Sequence, residues 1–185
     1  MKNLIKSIAV VALVFASVSC SNDEAKDYGT TSLAKTIEET PEFSSFSEAL
    51  EITGLKSTLE ESGSSTVFVP TNDAFGAVLG GLSIEDFNTA NPGVLSTVVK
   101  YHIVPNGVYT KDLTDGQTLT TSSGQTISVS VEDNPVFPEY DDTFGGYEET
   151  SYYLNGGASR IFARDVKCTN GTINVIDAVL APAGS

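Results

Sequence analysis

The spacing of apolar residues changes its period near the middle of this chain, and that change constrains the fold more than any other feature. Before Pro105 apolar side chains recur every three or four residues, as at Phe43, Phe46 and Leu50, which is typical of amphipathic helices. After Pro105 they alternate with polar side chains, most clearly over residues 127–131, which is typical of a sheet with one solvated face. Helices first and strands later predict an α+β domain and argue against a parallel βαβ repeat.

Residue types that cap or open helices predict where the helices begin. The predicted starts are Thr40 with Pro41, Thr71 or Asn72, Ser83, and Asn91 with Pro92. The first of these helices is expected to end at Gly54 and to be followed by a short helix over residues 55–61.

The strand pattern predicts which residues face the core. Val67 and Val69 are expected on one face of a strand over residues 66–70, with Phe68 on the other. Asn170–Gly171 is the strongest hairpin signal in the chain, because a type I′ turn needs positive φ at both central residues. The carboxylate of Asp177, at the end of the last strand, is expected to cap a turn.

Residues 1–19 have the composition of a secretory signal peptide. Two lysines precede an apolar run. A helix that crosses a membrane needs about 20 apolar residues, and this run is shorter. Cys20 follows in a sequence that resembles the lipobox of bacterial lipoproteins, although Ser17 stands where an aliphatic residue is usual, and ordinary cleavage without lipidation is the alternative. Residues 20–35 are predicted to be the lipidated cysteine and a polar tether, whose acidic start resembles a surface-export signal.

The charge balance limits the partners. The 185 residues carry 10 basic and 24 acidic side chains, a formal charge of −14. Binding to a phosphate backbone requires clustered Lys and Arg, so nucleic acid is excluded as a partner. Anionic lipid headgroups repel such a chain, so a membrane would hold it only through the acyl anchor.

Three segments follow one another along the chain: residues 66–75 (TVFVPTNDAF), residues 95–105 with Tyr101 and His102, and residues 170–182 (NGTINVIDAVLAP). In this order they resemble the sequence boxes of the fasciclin family of secreted adhesion domains. The resemblance covers residues 36–182 and leaves 183–185 as a tail. It implies a single fasciclin-like domain, a β-wedge or sandwich with a small layer of helices, and a ligand-contacting role for the Tyr101–His102 segment.

The chain departs from the family pattern in two places. Asn174 stands where the family often has His, and residues 133–150 form an insertion rich in acids and tyrosines where a plain hairpin is usual. Tyrosines interleaved with acids suit a surface that binds sugars or proteins. The candidate binding residues of the insertion are Tyr140, Asp141, Asp142, Tyr147, Glu148 and Glu149. A calcium site and a plain solvated loop are the alternatives, and no metal site is assigned.

The reactive side chains argue against an enzyme. His102 is the single histidine, and Cys168 is the single cysteine once Cys20 is lipidated. One histidine cannot supply a base, its orienting group and a nucleophile, and two histidines or two free cysteines for zinc are lacking. We therefore predict no catalytic residues and no cofactor. His102 is expected to be packed and bonded to backbone, with ligand contact as the alternative, and Cys168 to be a small buried apolar residue.

These features predict a cell-envelope protein, an outer-membrane lipoprotein exposed at the surface. Its expected function is that of a non-catalytic adhesion or matrix-binding module, whose partner is an extracellular protein, a polysaccharide or a second copy. The alternative function is capture of a glycan or small ligand by an accessory surface lipoprotein.

Overall fold

A computed structural model describes residues 29–61, 63–136 and 147–182 of the chain. Its helices are α1 (Leu33–Glu39), α2 (Ser44–Ile52), α3 (Leu55–Glu61), α4 (Asn72–Leu79), α5 (Ile84–Ala90) and α6 (Val94–Tyr101). Its strands are β1 (Ser65–Pro70), β2 (Ile103–Val104), β3 (Thr118–Thr120), β4 (Thr126–Val136), β5 (Tyr147–Leu154), β6 (Ser159–Cys168) and β7 (Gly171–Ile176). Two 3₁₀ turns, Pro41–Phe43 and Thr110–Asp112, precede α2 and β3.

The strands form one seven-stranded sheet in the order β2-β1-β7-β6-β5-β4-β3. Strands β1 and β7 run parallel, with Thr66 beside Thr172, and every other described pair is antiparallel. Helices α4, α5 and α6 lie between β1 and β2 in the sequence, whereas α1, α2 and α3 precede β1. The α+β class is confirmed, and the wedge-like sheet with a few helices agrees with the expected architecture.

The sheet separates two apolar cores. The first joins the helices to one face of β1 and β7, where Val67, Val69 and Ile173 are buried. The second lies among the strands and includes Phe68 and Leu180. The predicted division of the first strand is thereby confirmed, because alternation along a strand sends neighbouring side chains to opposite faces.

Two of the predicted helix caps form as expected. The Thr71 hydroxyl accepts the Ala74 N–H at 3.4 Å at the start of α4, and the Ser83 hydroxyl accepts the Asp86 N–H at 3.0 Å at the start of α5. Each satisfies an amide that has no partner within its helix. Thr40 does not cap, because its hydroxyl donates instead to the Thr36 carbonyl, four residues earlier.

Two helix starts differ from the prediction. The segment opened by Pro41 begins as a 3₁₀ turn and becomes an α-helix only at Ser44. Helix α6 begins at Val94 rather than at Pro92, since Gly93, with φ of +82°, provides the left-handed residue at its N-terminus.

The predicted hairpin forms, but its turn lies one residue earlier than expected. Cys168 pairs with Gly171, so the loop is Thr169–Asn170, and neither loop residue has the positive φ of a type I′ turn. The glycine serves a different purpose. A Cβ at Gly171 would overlap the Ser65 carbonyl oxygen and lie 2.8 Å from Leu33 Cδ1, because β1 and α1 approach the strand there. Close approach of two backbones, rather than the turn, requires this glycine.

The folded domain begins before the predicted end of the tether. Leu33 is 0% exposed and Ala34 is also buried, although both were assigned to the tether over residues 20–35. The Thr31 carbonyl accepts the Thr169 N–H at 2.9 Å, and the Leu33 N–H donates to the Asn170 side chain at 2.8 Å. Residues 31–33, which belong to the predicted tether, are therefore held against the β6–β7 hairpin.

The expected insertion is in part an extended hairpin. Strands β4 and β5 pair from Val129–Leu154 to Val136–Tyr147, so residues 133–136 and 147–150 lie within strands. The neighbouring strands pair only with the base of this hairpin, β3 at residues 126–128 and β6 at residues 152–154. Beyond that base β4 and β5 form a two-stranded ribbon, so both strands continue into the residues predicted to form the insertion.

Candidate functional site

Tyr101 and His102 end helix α6, and both side chains are buried. Their exposed fractions are 3% and 0%. Helix α6 brings His102 between the two cores, where its ring lies 5.8 Å from the ring of Phe46, centroid to centroid. The His102 carbonyl accepts the Phe68 N–H at 2.9 Å, which ties the end of the helix to β1.

Both ring nitrogens of His102 are bonded to backbone. Nδ1 lies 2.7 Å from the Val98 carbonyl oxygen, which can only accept, so Nδ1 carries the proton. Nε2 then accepts the Leu180 N–H at 2.9 Å. Burial lowers the pKa of His102 to about 4, so the imidazole is neutral at pH 7. The prediction of a packed histidine bonded to backbone is confirmed.

The Tyr101 hydroxyl is also used within the protein. It donates to the Thr126 carbonyl at 2.8 Å and lies 3.1 Å from the Asn155 amide nitrogen. Asn155 has a positive φ of 52° in the turn after β5, so the tyrosine fixes a strained turn to the start of β4. Both side chains are buried and join elements of the scaffold, and the ligand-contacting role that the resemblance implies for this segment stays a prediction.

Cys168 is a half-buried thiol at the end of β6. Its sulfur lies 3.3 Å from the Thr36 hydroxyl of α1. Burial raises the pKa of the thiol, which disfavours the thiolate that a nucleophile requires. The predicted structural role therefore fits the position of Cys168.

Asn174 holds a strained residue, a role that the sequence did not predict. Its side-chain oxygen accepts the N–H of Asp165, which has a positive φ of 54° at an irregular point of β6. The Asp165 carboxylate in turn accepts the Thr110 N–H at 2.9 Å and the Thr110 hydroxyl. The only sequence signal was the unusual Asn174 itself, whose partner is nine residues away across a bulge.

Three of the six candidate binding residues of the insertion lie on the β4–β5 ribbon. Strand β5 begins with Tyr147, Glu148 and Glu149, whose backbone pairs with β4. The other three, Tyr140, Asp141 and Asp142, lie outside the described residues.

The chain's two arginines hold the base of this ribbon. Arg160 Nη2 donates to the Ser151 hydroxyl at 3.4 Å, and Arg164 Nη1 donates to the Thr150 carbonyl at 3.2 Å. The Arg164 guanidinium also lies 5.4 Å from the ring centroid of Tyr152. Two arginines four residues apart in an otherwise acidic region were the sequence signal for this arrangement, and the strand register was needed to interpret it.

Within the described ranges no group of three or more His, Cys, Asp or Glu side chains is placed to hold a metal ion. The same ranges contain no helix whose length and hydropathy would allow it to span a bilayer. The prediction of Cys20 lipidation concerns a residue outside the described ranges.

Comparison with known proteins assigns the family. A model of the fasciclin domain matches residues 41–182. The chain is 28% identical to the Synechocystis protein sll1483 over 140 residues, which are 76% of this chain and 67% of that protein. It is 31% identical to human periostin, covering 82% of this chain, and 32% identical to human stabilin-1, covering 77% of this chain. The matched regions make up only 16% and 5% of those two human proteins.

A solved structure has the same fold. The FAS1 domain pair of the insect cell adhesion molecule fasciclin I superimposes with a TM-score of 0.54 at 16% identity, over 78% of this chain and 46% of that one. With the matched residues extending from the 3₁₀ turn before α2 to the end of the last box, the chain belongs to the fasciclin domain family.

Proposed function

We propose that this protein is a non-catalytic adhesion or matrix-binding module of the cell envelope. Fasciclin domains are associated with cell adhesion, and the insect structural neighbour is a cell adhesion molecule. The observation that carries the proposal is the position of His102, the single histidine, which is fully buried with both ring nitrogens bonded to backbone. A histidine in that state cannot accept a proton from a substrate at the surface.

The module is held at the membrane by lipid on Cys20, and residues 21–28 connect that lipid to the folded domain. Such a linker spans at most about 30 Å when extended. The domain therefore stays close to the membrane surface, and many anchored copies compensate for weak binding by each one.

The adhesive surface of this proposal is the acidic, tyrosine-rich ribbon formed by β4 and β5. Its support is geometric, because the outer part of the ribbon extends beyond the pairing of β3 and β6. Residues on a projecting ribbon reach a partner before the rest of the sheet does. Tyrosine provides rigid amphipathic contact area at low entropic cost.

Attachment of cells tests the function. Removing the domain should reduce attachment to neighbouring cells or to a coated surface, whereas growth on single polysaccharides should stay normal. Beads that carry the purified domain should attach in the same way, and Tyr140→Ala with Tyr147→Ala should weaken their attachment. Attachment that is unchanged without the domain would refute the adhesive function.

The two cysteines provide a matched test of anchoring. Cys20→Ser should release the protein from membranes, whereas Cys168→Ser, the same chemical change inside the domain, should leave it attached. Equal membrane association of both variants and the wild type would contradict lipidation at Cys20.

A further inference from the structure

A cavity of about 390 Å³ lies at the turn between β6 and β7. Its lining combines the β6–β7 turn with Ser64, just before β1, and Tyr109, just before the second 3₁₀ turn. Lys167, near the end of β6, contributes the cation. The volume falls at the small end of the roughly 300–1,000 Å³ found for small-molecule sites.

Three of the residues that line this cavity have a polar side-chain head without a partner among the described residues. Across the described ranges, the Lys167 ammonium and the hydroxyls of Tyr109 and Ser64 make no side-chain hydrogen bond or ion pair. By contrast, the Asn170 side chain beside them is fully used, because it accepts from Leu33 N–H and donates to the Leu59 carbonyl. The lining residues thus keep one charge and two hydroxyls available to a ligand.

Tyr109 adds an aromatic ring to the lining, and Lys111, which does not line the cavity, lies over that ring. Lys111 Nζ lies 5.8 Å from the centroid of the Tyr109 ring. The loop that carries both residues is held by the next residue, Thr110, whose N–H donates to the Asp165 carboxylate. That carboxylate is therefore already bonded within the protein.

This combination suits one ligand chemistry. A lysine favours a carboxylate, hydroxyls bond to sugar hydroxyls, and an aromatic ring covers the apolar face of a sugar ring. A long polyanion is disfavoured, because the whole chain carries a formal charge of −14. We propose that the cavity bounded by Ser64, Tyr109 and Lys167 binds a sugar residue that carries one carboxylate. None of the residues that line this cavity belongs to the adhesive ribbon, so the site does not depend on it.

Titration of the purified domain with glucuronic acid tests the site. The backbone amides of Ser64 and Thr169 should shift in nuclear magnetic resonance spectra with one saturable curve, and calorimetry should give the same Kd. Glucose, which lacks the carboxylate, and acetate, which lacks the ring, should each bind about tenfold more weakly or worse.

Two lysines provide a matched pair of variants. Lys167→Gln should weaken glucuronic acid binding about tenfold or more, because it removes the charge from the cavity. Lys100→Gln makes the same change of net charge at a half-buried residue of α6 that does not line the cavity, and binding should stay within about twofold. Tyr109→Ala should also weaken binding while the circular dichroism spectrum stays unchanged.

Three results would overturn the proposal. They are no saturable shift with glucuronic acid, equal loss in both lysine variants, and equal binding of acetate or glucose. None of these results bears on attachment by the ribbon, which is measured on cells and beads.

Discussion

Replacement of His102 by Phe should remove a pH dependence that this one side chain imposes on the fold. In the wild type, protonation of Nε2 would break its bond with the Leu180 N–H, because that amide can only donate. The folded state therefore binds the proton with a pKa of about 4, whereas an unfolded chain binds it near 6.5. The stability that the neutral imidazole contributes is complete above pH 6.5 and is lost as the pH falls towards 4.

The magnitude follows from the gap between the two pKa values. That gap corresponds to about 3 kcal/mol of unfolding free energy, most of which is lost by pH 4.5. At pH 7.5 the Phe variant should be about 2–4 kcal/mol less stable than the wild type, since Leu180 N–H and Val98 C=O lose their partner. At pH 4.5 this difference in unfolding free energy should shrink by about 2–3 kcal/mol. Only the wild type has a histidine that stays unprotonated in the folded state and binds a proton on unfolding.

Urea unfolding of both proteins between pH 7.5 and 4.5 measures this difference. Titration of the carboxylates affects both proteins alike and cancels. The imidazole resonance of the wild type provides a second measurement on the same chain, since His102 is the single histidine and its pKa can be assigned without ambiguity. A difference in stability that does not change with pH, or an imidazole pKa near 6.5, would refute the reasoning.

Three further substitutions test the contacts that hold the fold. Gly171→Ala should cost about 3 kcal/mol or more in urea unfolding, because the new methyl overlaps the β1 backbone, whereas Gly76→Ala on the exposed side of α4 should stabilise by about 0.5–1 kcal/mol. Asn170→Ala should cost about 2–3 kcal/mol and increase hydrogen exchange in α1, since it removes the bonds to the first and third helices. Unchanged exchange would contradict that anchoring role. Thr71→Ala should lower the free energy of unfolding by about 1 kcal/mol, and an unaltered melting curve would argue against its role as a cap.

Local signals predicted local structure well. The caps at Thr71 and Ser83 and the opposite faces of Val67 and Phe68 each depend on residues within a few positions in the sequence. For these features the physics of one turn or one strand is sufficient, since a cap needs only an oxygen three residues before an amide and a strand needs only alternation.

Contacts between distant segments could not be predicted in this way. The Thr66 and Thr172 hydroxyls lie 3.1 Å apart across the parallel pair β1–β7, although 106 positions separate them in the sequence. His102 was correctly expected to be packed, but its acceptor role towards Leu180 depends on a segment 78 residues later. The sequence also could not predict which side chains near Lys167 lack a partner, because a free polar group is recognisable only when all its neighbours are known.

The distribution of charge and reactive groups explains why this scaffold suits binding rather than chemistry. The buried polar residues of the described ranges include no acid, lysine or arginine, and they consist of His102, Asn174 and hydroxyl residues. Acidic charge therefore lies at the surface, and two copies with a formal charge of −14 repel each other once they come within a screening length of about 8 Å. Contact between copies thus needs close complementarity, such as acids of one copy against Lys111 or Lys167 of another. A neutral or weakly basic partner meets no such barrier, so the same charge that keeps the domains apart favours adhesion to a different molecule.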